Sequence, residues 1–132
     1  PGATGLLDFL VAAGIPHAIA TSSPHQNLVF YVEHLDLRRW FGDEQLIYDR
    51  GAYPGKPAPD IYLEAAARLG LLPSACVVVE DSIAGIAAAR AAGIGHIVAL
   101  GPAASHAELG ALPGVGTVIT DLSQFPRHLL AA

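Results

Sequence analysis

Residues 77–94 read VVVEDSIAGIAAARAAGI, and this stretch decides the fold. Three consecutive β-branched residues mark a strand buried on both faces, which is the pattern of a parallel sheet. Ser82 stands where a helix N-cap belongs, residues 83–92 form an alanine-rich helical run, and Gly93 sits at its C-terminal end. Outward from here the same alternation recurs. Asp60–Leu69 reads as a helix stopped by Gly70, and His96–Leu100 and residues 117–119 read as strands. Upstream, residues 6–13 form a short amphipathic helix ended by Gly14, and residues 17–20 a strand ending at Thr21. Pro24 suits a helix start, with a helical period over residues 26–35. Residues 37–42 are a connector whose Trp40 and Phe41 fill a gap beneath it, and residues 46–48 are a short strand. Strands alternating with helices, without hairpin signals, predict an α/β fold around a parallel sheet.

The 132 residues suit one domain. With 52% apolar and 14% charged residues, the composition supplies a core and excludes a disordered chain. The net charge of −5 and seven scattered Lys and Arg argue against a nucleic-acid partner, which needs a clustered basic face. Cys76 is the lone cysteine, so no intrachain disulfide forms and a reducing, cytoplasmic compartment is the default. It opens the apolar run CVVVE and reads as a buried structural thiol. No run approaches the roughly 20 apolar residues of a membrane span, and no signal-peptide pattern is present. The chain does not begin with Met, which fits an excerpt of a longer protein.

Ligands of open parallel sheets bind beyond the carboxyl ends of the strands. There the sequence places Thr21-Ser22-Ser23, Glu80-Asp81-Ser82 and, in a proline-bracketed loop, Gly55-Lys56-Pro57. Each has a plain reading. Hydroxyls after a strand cap helices, a loop lysine is solvated, and a helix dipole offsets part of the repulsion between adjacent carboxylates. Taken together they suit another purpose. Hard carboxylate oxygens suit Mg²⁺, lysine supplies a point charge to a phosphoryl oxygen, and hydroxyls with backbone N–H groups complete an anion cradle. Phosphoryl transfer needs mainly this positioning and charge stabilisation. A P-loop is excluded because Arg50 stands at its first glycine position and Pro57 follows Lys56. There is no G-x-S-x-G elbow, and the six histidines form no H-x-x-x-H pair for zinc. A receiver-type domain would place its acidic pair before the hydroxyl and lysine, not after them. Arg50 and Tyr53 either face a substrate or are solvated loop residues.

TSS at 21–23, GKPAPDIYLEAAARLG at 55–70 and VVVEDSIAGIAAARAAGI at 77–94 resemble motifs II, III and IV of haloacid dehalogenase-superfamily hydrolases. The branch they most resemble holds β-phosphoglucomutase and phosphoglycolate-phosphatase-like enzymes. The resemblance covers nearly the whole chain. It implies a three-layer, Rossmann-like core in which Thr21 donates its hydroxyl to the phosphoryl group with the Ser22 N–H beside it. Lys56 would neutralise the transferring phosphate, and Glu80 and Asp81 would help hold Mg²⁺.

The family's first motif, D-x-D-x-[TV], is absent: Asp8, Asp36, Asp43 and Asp49 have no second Asp two residues on. With it go the nucleophile, the acid/base, the first central strand and the cap that selects substrate. A slot is therefore expected between the strands ending at Thr21 and Glu80. Residues 1–132 then make a single partial core domain of a parent of roughly 200–230 residues, following the family's pattern and ordinary domain sizes. The expected activity of that parent is Mg²⁺-dependent phosphoric monoester hydrolysis of a small phosphorylated metabolite through an aspartyl-phosphate, as a monomer or homodimer away from membranes. The alternatives are a sugar-phosphate mutase and a non-catalytic phosphate- or partner-binding module. The 132 residues alone are expected to be inactive.

Overall fold

The computed structural model describes residues 2–24, 33–49 and 55–130. The chain opens on α1 (Ala3–Ala12) and enters β1 (Ile19–Pro24). Most of the helix expected over residues 26–35 lies outside the described residues, and its last turn, at 33–35, is helical. β2 (Leu46–Asp49), α2 (Asp60–Leu69), β3 (Val77–Glu80), α3 (Ile83–Ala91), β4 (His96–Leu100), α4 (His106–Ala111) and β5 (Val115–Ile119) follow. Short 3-10 turns at Leu122–Gln124 and Arg127–Leu130 close the chain. Among the described residues no helix is long and apolar enough to cross a membrane.

The local reasons for these elements are visible. α2 has Asp60 in its first turn, where the helix dipole favours an acid, and an Arg68–Glu64 pair one turn apart at 3.6 Å. It ends at Gly70, whose φ of 70° is a left-handed conformation that side-chain-bearing residues avoid. α3 begins where the Ser82 side chain accepts the N–H of Gly85.

Every strand pairing described is parallel. β3, β4 and β5 form one sheet with β4 in the middle, and β1 pairs with β2 in another. Along β4 the side chains alternate between two cores. Ile97 and Ala99 join residues of α2 and α3 on one face, while Val98 joins Leu6 and Leu10 of α1, Ile119 and Phe125 on the other. Helices thus cover both faces, giving the expected three layers. α2 lies across β1 and β2 and also meets α3, so it ties the two sheets together.

Among the described residues no strand lies between β1 and β3. A cleft of about 1390 Å³ separates them, walled by Ala18, Ala20 and Thr21 on one side and Val77, Val79 and Glu80 on the other. It falls where the sequence places the slot.

Several boundaries differ from expectation. α1 starts three residues earlier than residue 6, since Gly2 at φ 81° turns the chain into the helix. β1 runs over Ile19–Pro24 and not residues 17–20. His17 instead bridges the Ile15 and Trp40 carbonyls, at 2.7 and 2.6 Å, so its ring is committed to holding the connector. Pro24 lies in β1 opposite Asp49, and the helix start expected after it falls outside the described residues. The register slips between Ala20 and Pro24, and a proline with no N–H to give is tolerated at such an irregular strand end. Residues 115 and 116 extend β5, and α4 is an element that no sequence pattern announces. Phe41 is buried beside Leu46, whereas Trp40 is half-buried and gives its indole N–H to Asp8 at 2.8 Å. Cys76 is only partly buried, with its Sγ 3.4 Å from the Leu72 carbonyl and its thiol pKa pushed up by burial.

Ile97, 1% exposed on the middle strand, is closely packed on all sides. Ile97→Ala is expected to cost about 2–5 kcal/mol, read as a lowered urea midpoint with an unchanged denaturant slope.

Candidate active site

The carboxyl end of β3 carries a charged side chain inward. Glu80 is 8% exposed, and the loop before α2, α2 itself and the turn into α3 all supply donors to it. Oε2 accepts Lys56 Nζ at 2.8 Å and the Tyr62 hydroxyl in a short hydrogen bond. Oε1 accepts the backbone N–H groups of Asp81 at 3.1 Å and Ser82 at 3.3 Å, and the Ser82 hydroxyl at 3.2 Å. Ser82 acts twice, because its Oγ also accepts the Gly85 N–H at 2.9 Å and so caps α3. A buried charge is tolerated only when paired and hydrogen-bonded, and Glu80 is both.

Burial pushes the Glu80 pKa up, but the hydrogen bonds from Lys56 and Tyr62 and the lysine charge outweigh it, holding the carboxyl at about 2. The Tyr62 hydroxyl is pushed well above the usual phenol range, first by burial and then by Glu80 and Asp81. Lys56 is 14% exposed at its side chain and lies 5.1 Å from the centre of the Tyr62 ring. The Lys56–Pro57 peptide is cis.

Thr21, Lys56, Glu80, Asp81 and Ser82 all border the cleft between β1 and β3. Thr21 is half-buried at the register slip of β1, and Asp81 is exposed at the mouth. The backbone of Ser22 is described within β1. Arg50 and Tyr53 lie outside the described residues. The lysine and the acidic pair therefore meet at one edge, and Thr21 borders the same cleft. Their charges sum to about one negative, from one lysine and two carboxylates, so a phosphate is repelled unless a cation accompanies it. Among the described residues no group of three or more His, Cys, Asp or Glu forms a ready-made ion cage.

Sequence reasoning missed two residues. Tyr62 reads as one more apolar contact of α2, yet a buried tyrosine needs a partner for its hydroxyl, and that is the available signal. Gly85 sits inside a helix, where an isolated glycine usually marks a close approach. A Cβ there would lie 2.0 Å from Glu80 Cδ and 2.1 Å from Oε2, so the glutamate side chain occupies the space a methyl would need.

The sequence pattern of haloacid dehalogenase-like hydrolases matches residues 1–93. The chain belongs to this family. It is 37% identical over 97 residues to a phosphorylated carbohydrates phosphatase of Thermotoga maritima, covering 74% of this chain and 44% of that enzyme. It is 34% identical over 126 residues to the β-phosphoglucomutase of Mycobacterium tuberculosis, covering 93% of this chain and 48% of the mutase. A solved haloacid dehalogenase family hydrolase from Deinococcus radiodurans, with bound phosphate and sodium, superimposes with a TM-score of 0.85 at 36% identity. That superposition covers 97% of this chain and 57% of the other. The chain spans about half the length of the relatives it matches.

Two outcomes test the Glu80 arrangement. Its folded pKa lies below its unfolded value near 4.5, so the stabilisation is present above that pH and is lost as pH falls toward 2. Chemical denaturation between pH 5 and 2 should show this loss, and Glu80→Gln should flatten that part of the curve. Gly85→Ala should destabilise by about 1–3 kcal/mol from overpacking, although an exposed helix site gains about 1 kcal/mol from the same change. A thermal melt reads the sign.

Proposed function

We propose that the protein containing this chain is a Mg²⁺-dependent phosphatase of small phosphorylated metabolites, with sugar phosphates as the substrate class. The observation that carries this reading is the part-buried Lys56–Glu80 pair, 2.8 Å apart, beside Asp81 on a cleft that Thr21 also borders. The likeness to a phosphorylated carbohydrates phosphatase supports the substrate class.

The donor set fits the metal. Mg²⁺ typically keeps several waters and takes one or two protein carboxylates together with a substrate phosphate, and Asp81 with Glu80 offers that number of hard oxygens. Mg²⁺ would neutralise charge on the phosphoryl oxygens. This chain's residues do the rest. Lys56, held in place by Glu80, presents its ammonium to a phosphoryl oxygen. Thr21 gives its hydroxyl and Ser22 its backbone N–H to the same group, and the start of α3 adds a favourable dipole. The nucleophilic and acid/base aspartates come from outside these 132 residues, which hold no D-x-D pattern. The reaction would then run through an aspartyl-phosphate.

A second reading, a sugar-phosphate mutase, is favoured by one observation: the match to the mycobacterial β-phosphoglucomutase extends over 93% of the chain. The two differ in whether water reaches the phosphorylated enzyme.

The full-length protein with Mg²⁺ should release orthophosphate from members of a sugar-phosphate panel. Lys56→Ala should lower kcat by about 10²–10³, the range for removing a main electrostatic stabiliser. The 132 residues alone should release none. Isomerised sugar phosphate without orthophosphate would select the mutase. No conversion at all, with an upstream D-x-D present, would overturn the phosphatase reading.

A further inference from the structure

The five donors around Glu80 have a consequence for how the two carboxylates divide their work. An ionised carboxylate offers about four lone-pair positions on its two oxygens. Lys56 and Tyr62 take both positions on Oε2, and the three donors of the Asp81–Ser82 turn crowd Oε1. To meet a cation directly, Glu80 must give up at least one of these. Two of the donors to Oε1 are backbone N–H groups of the β3–α3 turn, which cannot rotate away. The Tyr62 ring is 6% exposed on a helix pressed against β1 and β2, so its oxygen is held in place beside Oε2. Gly85 leaves the glutamate its place against the α3 backbone. Asp81, in contrast, is exposed and borders the cleft.

We propose that Tyr62 is a positioning residue: with Lys56 it fills Oε2 of Glu80, making Glu80 the anchor of Lys56 and leaving Asp81 to meet the cation directly. The inference rests on the phosphate- and metal-binding reading above. It assigns to Tyr62 a part that a phenylalanine, equally good as a core residue, would not play. Without the hydroxyl, Oε2 keeps Lys56 alone. The carboxylate then gains freedom to turn, and the ammonium moves with it.

The test uses the full-length protein, Mn²⁺ as an EPR-visible metal probe and orthophosphate as the anion probe. Tyr62→Phe should leave Mn²⁺ affinity within about twofold while weakening orthophosphate binding by about tenfold, the lower end of the loss seen when a supporting hydrogen bond is removed. Asp81→Asn should weaken Mn²⁺ at least about tenfold more than Glu80→Gln does. Unchanged orthophosphate affinity in Tyr62→Phe would reduce the tyrosine to a core residue. Equal loss of Mn²⁺ in Glu80→Gln and Asp81→Asn would return Glu80 to the metal. Should Glu80→Gln not fold, Tyr62→Phe decides alone, because it deletes a single oxygen. Absence of turnover in the unmodified protein would sink the proposed function, yet the binding measurements would still read the part played by Tyr62.

Discussion

The Glu80 carboxylate is the point on which the rest of this structure depends. A charge this deeply placed would be expelled or neutralised without partners, and its five donors come from separate pieces of chain. The loop before α2 gives Lys56, α2 itself gives Tyr62, and the turn between β3 and α3 gives two N–H groups and the Ser82 hydroxyl. Each piece is fixed with respect to the others because one anion needs them all. The ion pair is weak evidence for stability in itself, since desolvation consumes much of the attraction. Its value lies in setting a unique geometry.

That geometry spans a discontinuity. Among the described residues, β1 and β2 are not hydrogen-bonded to β3, and a cleft stands between them. Among the described residues the two parts are joined by apolar packing, through α2 with β2, β3 and α3 and through Leu7 of α1 with both neighbouring cores, and by the bonds from Lys56 and Tyr62 to Glu80. The first is non-directional and leaves the relative placement of the sheets loosely specified. The second is directional and ties α2 and the loop before it to the carboxyl end of β3.

Much of this is legible in the amino-acid sequence. The strand at the valine run, the stop at Gly70 and the cap at Ser82 each rest on one local rule and each forms, although Val77 and Val79 of β3 are only partly buried. That Lys56 and the Glu80-Asp81 turn share one edge follows from where parallel strands end, whereas their ion pair shows only in the structure. The failures have a common cause. His17 lies outside the strand because its ring satisfies the Ile15 and Trp40 carbonyls, the second 23 positions away in sequence. Tyr62 and Gly85 owe their importance to a glutamate lying 18 and 5 positions away in sequence. α4 is six residues long, too short to show a period. Local patterns predict elements well; they do not carry the identity of a tertiary partner.

Ser82 links the charge at the cleft to the integrity of a helix. Its hydroxyl hydrogen goes to Glu80, and its oxygen receives the first capping amide of α3. A rotation of the glutamate would pull that hydroxyl away and loosen the amide behind it. The Gly85 N–H is therefore a built-in reporter: its solvent exchange follows the state of a carboxylate that amide exchange cannot observe directly.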